Sequence, residues 1–162
     1  MLIPKELESK ILTELTATLS DGLSAAELAR QCTLTGSWQP SASGLVKWIA
    51  AATANPVHVH VAVGTALPRT FTSGDVDFNV NISLFIRTDL DTTGELQIAY
   101  AEKIENILRS WQAETYQQAL AALSLPGTFY VGDIQGQSGN SPTLQDNIVS
   151  ISWPLVIGGS YA

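Results

Sequence analysis

Asp75-Val-Asp-Phe-Asn-Val-Asn-Ile-Ser-Leu-Phe-Ile-Arg87 decides how this chain folds. Val76, Phe78, Val80, Ile82, Leu84 and Ile86 occupy every second position. Asp77, Asn79, Asn81, Ser83 and Arg87 fill most of the places between. Successive side chains of a strand point to opposite faces, so the pattern predicts a long strand with one apolar and one mostly polar face. Directly after it, Leu96, Tyr100, Ile104, Ile107, Leu108 and Trp111 recur at helical spacing. Glu102, Lys103, Glu105, Asn106 and Arg109 take the opposite face, predicting a helix over about 93–111. Thr92-Thr-Gly-Glu95 reads as its capping box, with Thr92 as the cap.

Upstream, Val57, Val59, Val61 and Val63 alternate with His58, His60 and Ala62. This is a second half-buried strand, expected to pair antiparallel with the first. The connection from Gly64 to Gly74 is long for a hairpin loop, and connections of that length often carry function. Downstream, Thr128 to Ile134 suits a strand, and Gln135 to Pro142 reads as a flexible loop. From 147 to 157, Val149, Ile151, Trp153, Leu155 and Ile157 alternate once more. Proline lacks the N–H a ladder needs, so Pro154 predicts that this strand lies on an edge or ends early.

The N-terminal part reads as helical. Pro4 suits a first helical turn. Leu7, Ile11, Leu15 and Leu19 repeat every four residues, with Glu6, Glu8, Lys10 and Glu14 between them, predicting an amphipathic helix over about 4–19 that Ser20-Asp-Gly22 ends. Ser24-Ala-Ala-Glu27 is a capping-box pattern with a Leu23–Leu28 staple, predicting a short helix over about 25–32. Leu45, Trp48, Ile49 and Ala52 suit a further helix, stopped by Asn55-Pro56; a buried strand would show a similar run. Tyr116, Leu120 and Leu123 suggest another over about 114–124. The expected fold is a single α+β domain spanning 1–162: a mixed, mainly antiparallel sheet of about four strands, packed on one side by two or three helices, with about 24–54 as a possible helical insertion.

Composition narrows the function. Charged residues make up 14% of the chain, against roughly 25% in an average soluble domain. Either the surface is neutral and rich in Ser, Thr, Asn and Gln, or partner subunits cover part of it. The net charge is −7, and the 8 Lys and Arg residues are scattered. Phosphate backbones need clustered cations, so nucleic-acid binding is disfavoured. Cys32 is the only cysteine; it allows no intrachain disulfide and reads as a small buried apolar residue in a reducing compartment. The first residues have no signal-peptide core, and no apolar run reaches the ~20 residues a membrane span needs. Leu28 to Gly74 contains no acid and carries Arg30, Lys47 and Arg69, whereas Asp75 to Glu114 holds eight acids against three bases. Neighbouring subunits could meet head to tail through this polarity; in a charge-poor chain, chance produces the same asymmetry.

No catalytic motif is visible. His58 and His60 share one strand face, but zinc normally takes three or four ligands and no further His or Cys–His cluster is at hand. Partly exposed strand histidines account for them better than a metal site does. Asp89-Leu-Asp91-Thr-Thr-Gly94 echoes the start of a calcium loop, yet its twelfth position is Tyr100 rather than Glu. The glycines at 132, 136 and 139 match neither phosphate-binding fingerprint and are accompanied by no lysine. A nucleophile elbow is absent.

The order of elements resembles a known family. A helix precedes Pro56-Val-His-Val-His-Val-Ala-Val63. Then come the long strand ending in Phe85-Ile-Arg-Thr-Asp-Leu90, the helix of Leu96, Tyr100, Ile104, Ile107 and Leu108, a loop with Asp146, and Ile148-Val-Ser-Ile-Ser-Trp-Pro-Leu155. This is similar to the tail-terminator (tail-completion, minor tail) proteins of long-tailed bacteriophages and prophages. The likeness covers about 1–20 and 56–157 and rests on element order, without a diagnostic motif. It implies a non-enzymatic structural protein without cofactor or metal. Such a protein assembles in the bacterial cytoplasm and ends up in the virion, as a homo-oligomeric ring, hexameric in that family. It would contact tail-tube and neck proteins. Arg69 and Phe71 in the first loop, Gln137 and Asn140 in the second, and Asp89 and Asp91 on the acidic turn are the expected contacts. The alternative is a small binding module or metal-dependent enzyme using His58 and His60.

Overall fold

The computed structural model describes residues 4–38, 48, 55–64, 67–68, 75–113, 128–131, 143–145 and 147–160. In chain order these form α1 (Pro4–Leu19), α2 (Ala25–Gln31), β1 (Cys32–Gly36), β2 (Val57–Val63), β3 (Leu67–Pro68), β4 (Asp75–Arg87), α3 (Glu95–Ala113), β5 (Thr128–Val131), β6 (Thr143–Gln145) and β7 (Ile148–Ser160). The fold is α+β. One sheet runs β1-β2-β4-β7-β5, with β3 beside β4 and β6 beside β7. Four strands, β1, β2, β4 and β7, make its body, although the expected set counts the strand at 128–134, here the short β5, in place of β1; three short strands extend it. All pairings are antiparallel except β1 with β2, which makes the sheet mixed.

The alternating residues sort as the pattern predicts. Val57 faces Ile86, Val59 faces Leu84, Val61 faces Ile82 and Val63 faces Val80. The same row continues into β7, where Ile86 meets Val149, Leu84 meets Ile151, Ile82 meets Trp153, Val80 meets Leu155 and Phe78 meets Ile157. All of these are buried, and Leu7, Ile11, Leu15 and Leu19 of α1 and Tyr100, Ile104, Ile107, Leu108 and Trp111 of α3 close over the same face. Each large side chain moved out of water contributes about 1.5–3 kcal/mol. The paired rows of β4 and β7 therefore carry a large share of the driving force for folding.

The local signals at α2 hold. Ser24 Oγ accepts from Glu27 N–H at 3.1 Å, Leu28 is buried, and Leu23 packs at the core margin. Gly22, at φ 78°, supplies the left-handed residue that ends α1. At α3 the expected cap is corrected. Thr92 does not cap the helix; Asp91 does, its two carboxylate oxygens accepting from Leu96 N–H at 3.2 Å and Gln97 N–H at 3.0 Å. The helix accordingly begins at Glu95 rather than about 93.

Three further expectations change. Residues 32–36 form a strand, so the stretch 24–54 is not a helical insertion throughout; β1 is an integral strand parallel to β2. Parallel neighbours need a long crossover, and residues 37–56 are that crossover. Within it Trp48 stands at a helical position and the rest of the expected helix lies outside the described residues. The connection from 64 to 74 contains β3, paired with Val76 and Asp77. Finally, β7 neither ends early nor forms the sheet edge: it pairs with β4 over its whole length, Pro154 lying opposite Asn81. Its other side pairs with β6 at Ile148–Ser150 and with β5 at Ile157–Ser160. Pro154 falls between those two segments, where the described residues offer its nitrogen no ladder partner, and there the missing N–H is tolerated. The helix expected at 114–124 and the loop at 135–142 lie outside the described residues.

Candidate functional site on the outer face of the sheet

The face turned away from α1 and α3 is made by the other half of each alternation. Thr35, His60, Ser83 and Ser152 form one row across four strands. Thr33, His58, Phe85 and Ser150 form the next. Beyond them Ala62, Asn81 and Pro154, then Asn79 and Val156, continue the face toward the start of β4. With Gly64, these last residues border a shallow hollow of about 320 Å³. The side chains from Asn79 to Ser83 and from Ser150 to Val156 on this face are uncharged.

At one end the face is covered. Trp48 is buried and meets the His58 ring edge-on, with centroids 5.3 Å apart. Its indole N–H donates to Asn55 O at 2.7 Å and Asn55 Oδ1 at 3.0 Å. Asn55 in turn accepts from the Thr33 hydroxyl at 2.9 Å and donates to Ala29 O at 3.0 Å. Arg87 donates to Trp48 O and sets its guanidinium 4.8 Å from the indole centroid, a cation–π contact. Trp48 and Asn55 are thus pinned to α2, β1 and β4 at once.

Beneath Trp48 lies a cluster of titratable side chains on this face. The Thr35 hydroxyl oxygen is 2.7 Å from His58 Nε2 and 2.7 Å from His60 Nδ1. His58 is fully buried and His60 half-buried, which corrects the expectation that both are partly exposed. Burial pushes the His58 imidazole down to about 4, with the neighbouring His60 adding to the effect, and burial lowers His60 too. Both rings are neutral at pH 7. His58 Nδ1 has no hydrogen-bond partner. Among the described residues no three His, Cys, Asp or Glu side chains gather as a metal site.

A second buried titratable group sits on the opposite face. Glu8, which the periodicity assigned to the solvent side of α1, is fully buried. Its Oε2 accepts the Trp38 N–H at 2.8 Å, and Oε1 lies 3.2 Å from the same nitrogen. Desolvation raises its pKa above the usual carboxylate value, and hydrogen bonds from Trp38 and Ser37 oppose that rise. Gly36 makes room for it: a Cβ there would come within 2.6 Å of Glu8 Cδ. The Trp38 indole N–H donates to Val63 O at 2.6 Å, tying the end of β1 to the end of β2.

The expected contact residues fare differently. Asp89 is exposed beside exposed Leu90. Asp91 is buried, and its carboxylate is committed to the amides of α3, so it is a structural cap rather than a surface contact. Arg69, Phe71, Gln137 and Asn140 lie outside the described residues. Of the three cations in the acid-free stretch, Arg30 is described and exposed on α2. Thr35 was legible in principle: Cys32-Thr-Leu-Thr-Gly36 alternates like the other strands, but five residues beside a helical signal did not reveal it. Nothing in the local sequence marks Trp48 as the cover of His58.

No protein-family model matches the chain, and no curated protein matches it. Among the described residues no helix is long and apolar enough to cross a membrane.

Proposed function

We propose that this protein is a non-enzymatic structural subunit of a phage or prophage tail, working as a homo-oligomeric ring that completes the tail tube and joins it to the head. The observation that carries this reading is the uncharged outer face of β4 and β7, from Asn79 to Ser83 and from Ser150 to Val156. A rigid two-strand wall with small neutral side chains is suited to packing against another protein surface with little desolvation cost. The order of helix, paired strands, helix and final long strand supports the same reading, as does the low charge content. Tail-tube and neck proteins would be the partners, and the virion the destination. Light scattering across a concentration series tests the proposal: a ring-sized particle, six copies in the first instance, is expected. A monomer at high concentration would overturn it.

A second reading, a small binding module or metal-dependent enzyme using His58 and His60, draws on the Thr35-bridged pair. The complete burial of His58 weighs against it, because a ligand would first have to displace Trp48. Metal analysis of the purified protein, together with a His58→Ala/His60→Ala variant, separates the two readings.

A further inference from the structure

One hydroxyl stands between two imidazoles, and its capacity is limited. Thr35 Oγ1 carries a single proton to donate and two lone pairs to accept with. With both rings neutral, the least costly arrangement has His58 Nε2–H donating to Thr35 and the Thr35 hydroxyl donating to His60 Nδ1. It leaves His58 Nδ1 as a bare lone pair, which matches its lack of a partner. The opposite arrangement would bury an unpartnered N–H at that atom. A buried N–H without an acceptor is a rarer orphan in folded proteins than an under-satisfied acceptor.

That arrangement fails when His60 takes up a proton. Its Nδ1 becomes a donor, so the Thr35 oxygen must accept from His60. The chain balances as a hand-over: the Thr35 hydroxyl proton passes to His60 Nδ1, the His58 Nε2 proton passes to the Thr35 oxygen, and the incoming proton is taken at His58 Nδ1, the free lone pair of that ring. Net uptake is one proton, held by His60; His58 changes tautomer and stays neutral. If His58 does not change, the Thr35 hydroxyl proton is itself stranded, and Thr35 is only 5% exposed.

We propose that Thr35 links His60 to His58 as a proton relay, so that protonation of the half-exposed ring is reported to the buried ring and to Trp48, which meets it edge-on. Among the described residues, few groups face the pair. From β1 it meets Thr35; from β4 it meets Phe85, with ring centroids 6.3 Å from His58, and the neutral Ser83. Trp48 brings Arg87, whose guanidinium lies 4.8 Å from the indole centroid. Burial first, and the neighbouring His60 imidazole after it, disfavour charge on His58. The response to a proton on His60 is therefore rearrangement of His58 rather than its protonation. The relay acts where Trp48 closes one end of the outer face, and it stands whether or not the chain forms a ring.

NMR of the full chain with ¹⁵N-labelled histidine and tryptophan tests it. In the wild type, the His58 ring nitrogens and the Trp48 indole N–H should shift with the midpoint of His60. In Thr35→Val, which keeps the side-chain shape and removes the hydroxyl, His60 should still titrate while His58 and Trp48 stop following it. Thr35→Ser should restore the link. If Thr35→Val does not fold, His60→Gln serves instead, and the Trp48 shift in that pH range should vanish. Flat His58 and Trp48 signals through the His60 titration of the wild type would overturn the relay. So would signals that follow His60 equally well in Thr35→Val, or a Trp48 shift that persists in His60→Gln.

Discussion

The two faces of the same sheet are built from neighbouring residues of the same strands, yet they do opposite work. On one face Val80, Ile82 and Leu84 pair with Leu155, Trp153 and Ile151 under α1 and α3, all buried. On the other, Asn79, Asn81 and Ser83 pair with Val156, Pro154 and Ser152. The first face gains its free energy from apolar area and close packing, which tolerate little change. Away from the end that Trp48 covers, the second gains less from folding and is freer to be shaped for contact. Such a contrast locates stability and function one residue apart along β4 and β7.

The sharpest way to break this contrast is on β7 itself. Trp153→Ala should cost about 3–5 kcal/mol, because the indole is fully buried at the centre of the core. Ser152→Ala, one residue away and exposed, should stay within about 0.5 kcal/mol. Urea unfolding of both variants measures the difference; similar losses would mean the outer face is packed in its own right.

A second effect comes from the covered end of the outer face. Holding His58 neutral below its ordinary range means the unfolded chain binds more protons than the folded one as pH falls. Stability should be full above pH 6.5 and decline toward pH 4, by up to about 3 kcal/mol from this residue. The lowered His60 adds in the same direction, whereas Glu8, with its raised value, acts oppositely and favours the fold as pH falls. Denaturation at pH 7 and pH 4.5 of the wild type and His58→Leu isolates the histidine share; equal slopes in both proteins would refute it.

Next in size is Gly36→Ala, expected to cost about 1–3 kcal/mol by driving the Glu8 carboxylate off the Trp38 amide. Thermal unfolding should show that Glu8→Ala relieves most of the added crowding. Asp91→Ala should cost about 1–2 kcal/mol through loss of the α3 cap, seen as faster amide exchange at Leu96 and Gln97. The smallest effect on stability belongs to Asp89→Lys, within about 0.5 kcal/mol. If the acidic turn meets the next subunit, that substitution alone should still reduce the assembled fraction in sedimentation. Reversing Asp91 as well would confuse the reading, since it also loosens α3.

What could be read from the sequence follows from how far each signal reaches. Long periodic runs were decisive: α1, β2, β4, the body of α3 and β7 stand where their alternation puts them. Ser24 was legible because a capping box is a contact over three residues. Asp91 was not, because its carboxylate reaches five and six residues ahead, past the nearer Thr92. Pro154 misled because a proline reports on one hydrogen-bonding position, not on a whole strand. Glu8 and Trp48 were invisible for a deeper reason. Their burial is decided by partners 30 and 10 residues away, Trp38 and His58, and no local pattern records such a meeting.

The meeting of Glu8 with Gly36 also has an evolutionary reading. A carboxylate from the helix occupies the volume that a side chain on β1 would otherwise fill. The two positions therefore compete for one space. In relatives of this chain, a residue larger than glycine at position 36 should occur together with a small residue at position 8. Such a paired exchange would leave a trace of this contact in sequences alone.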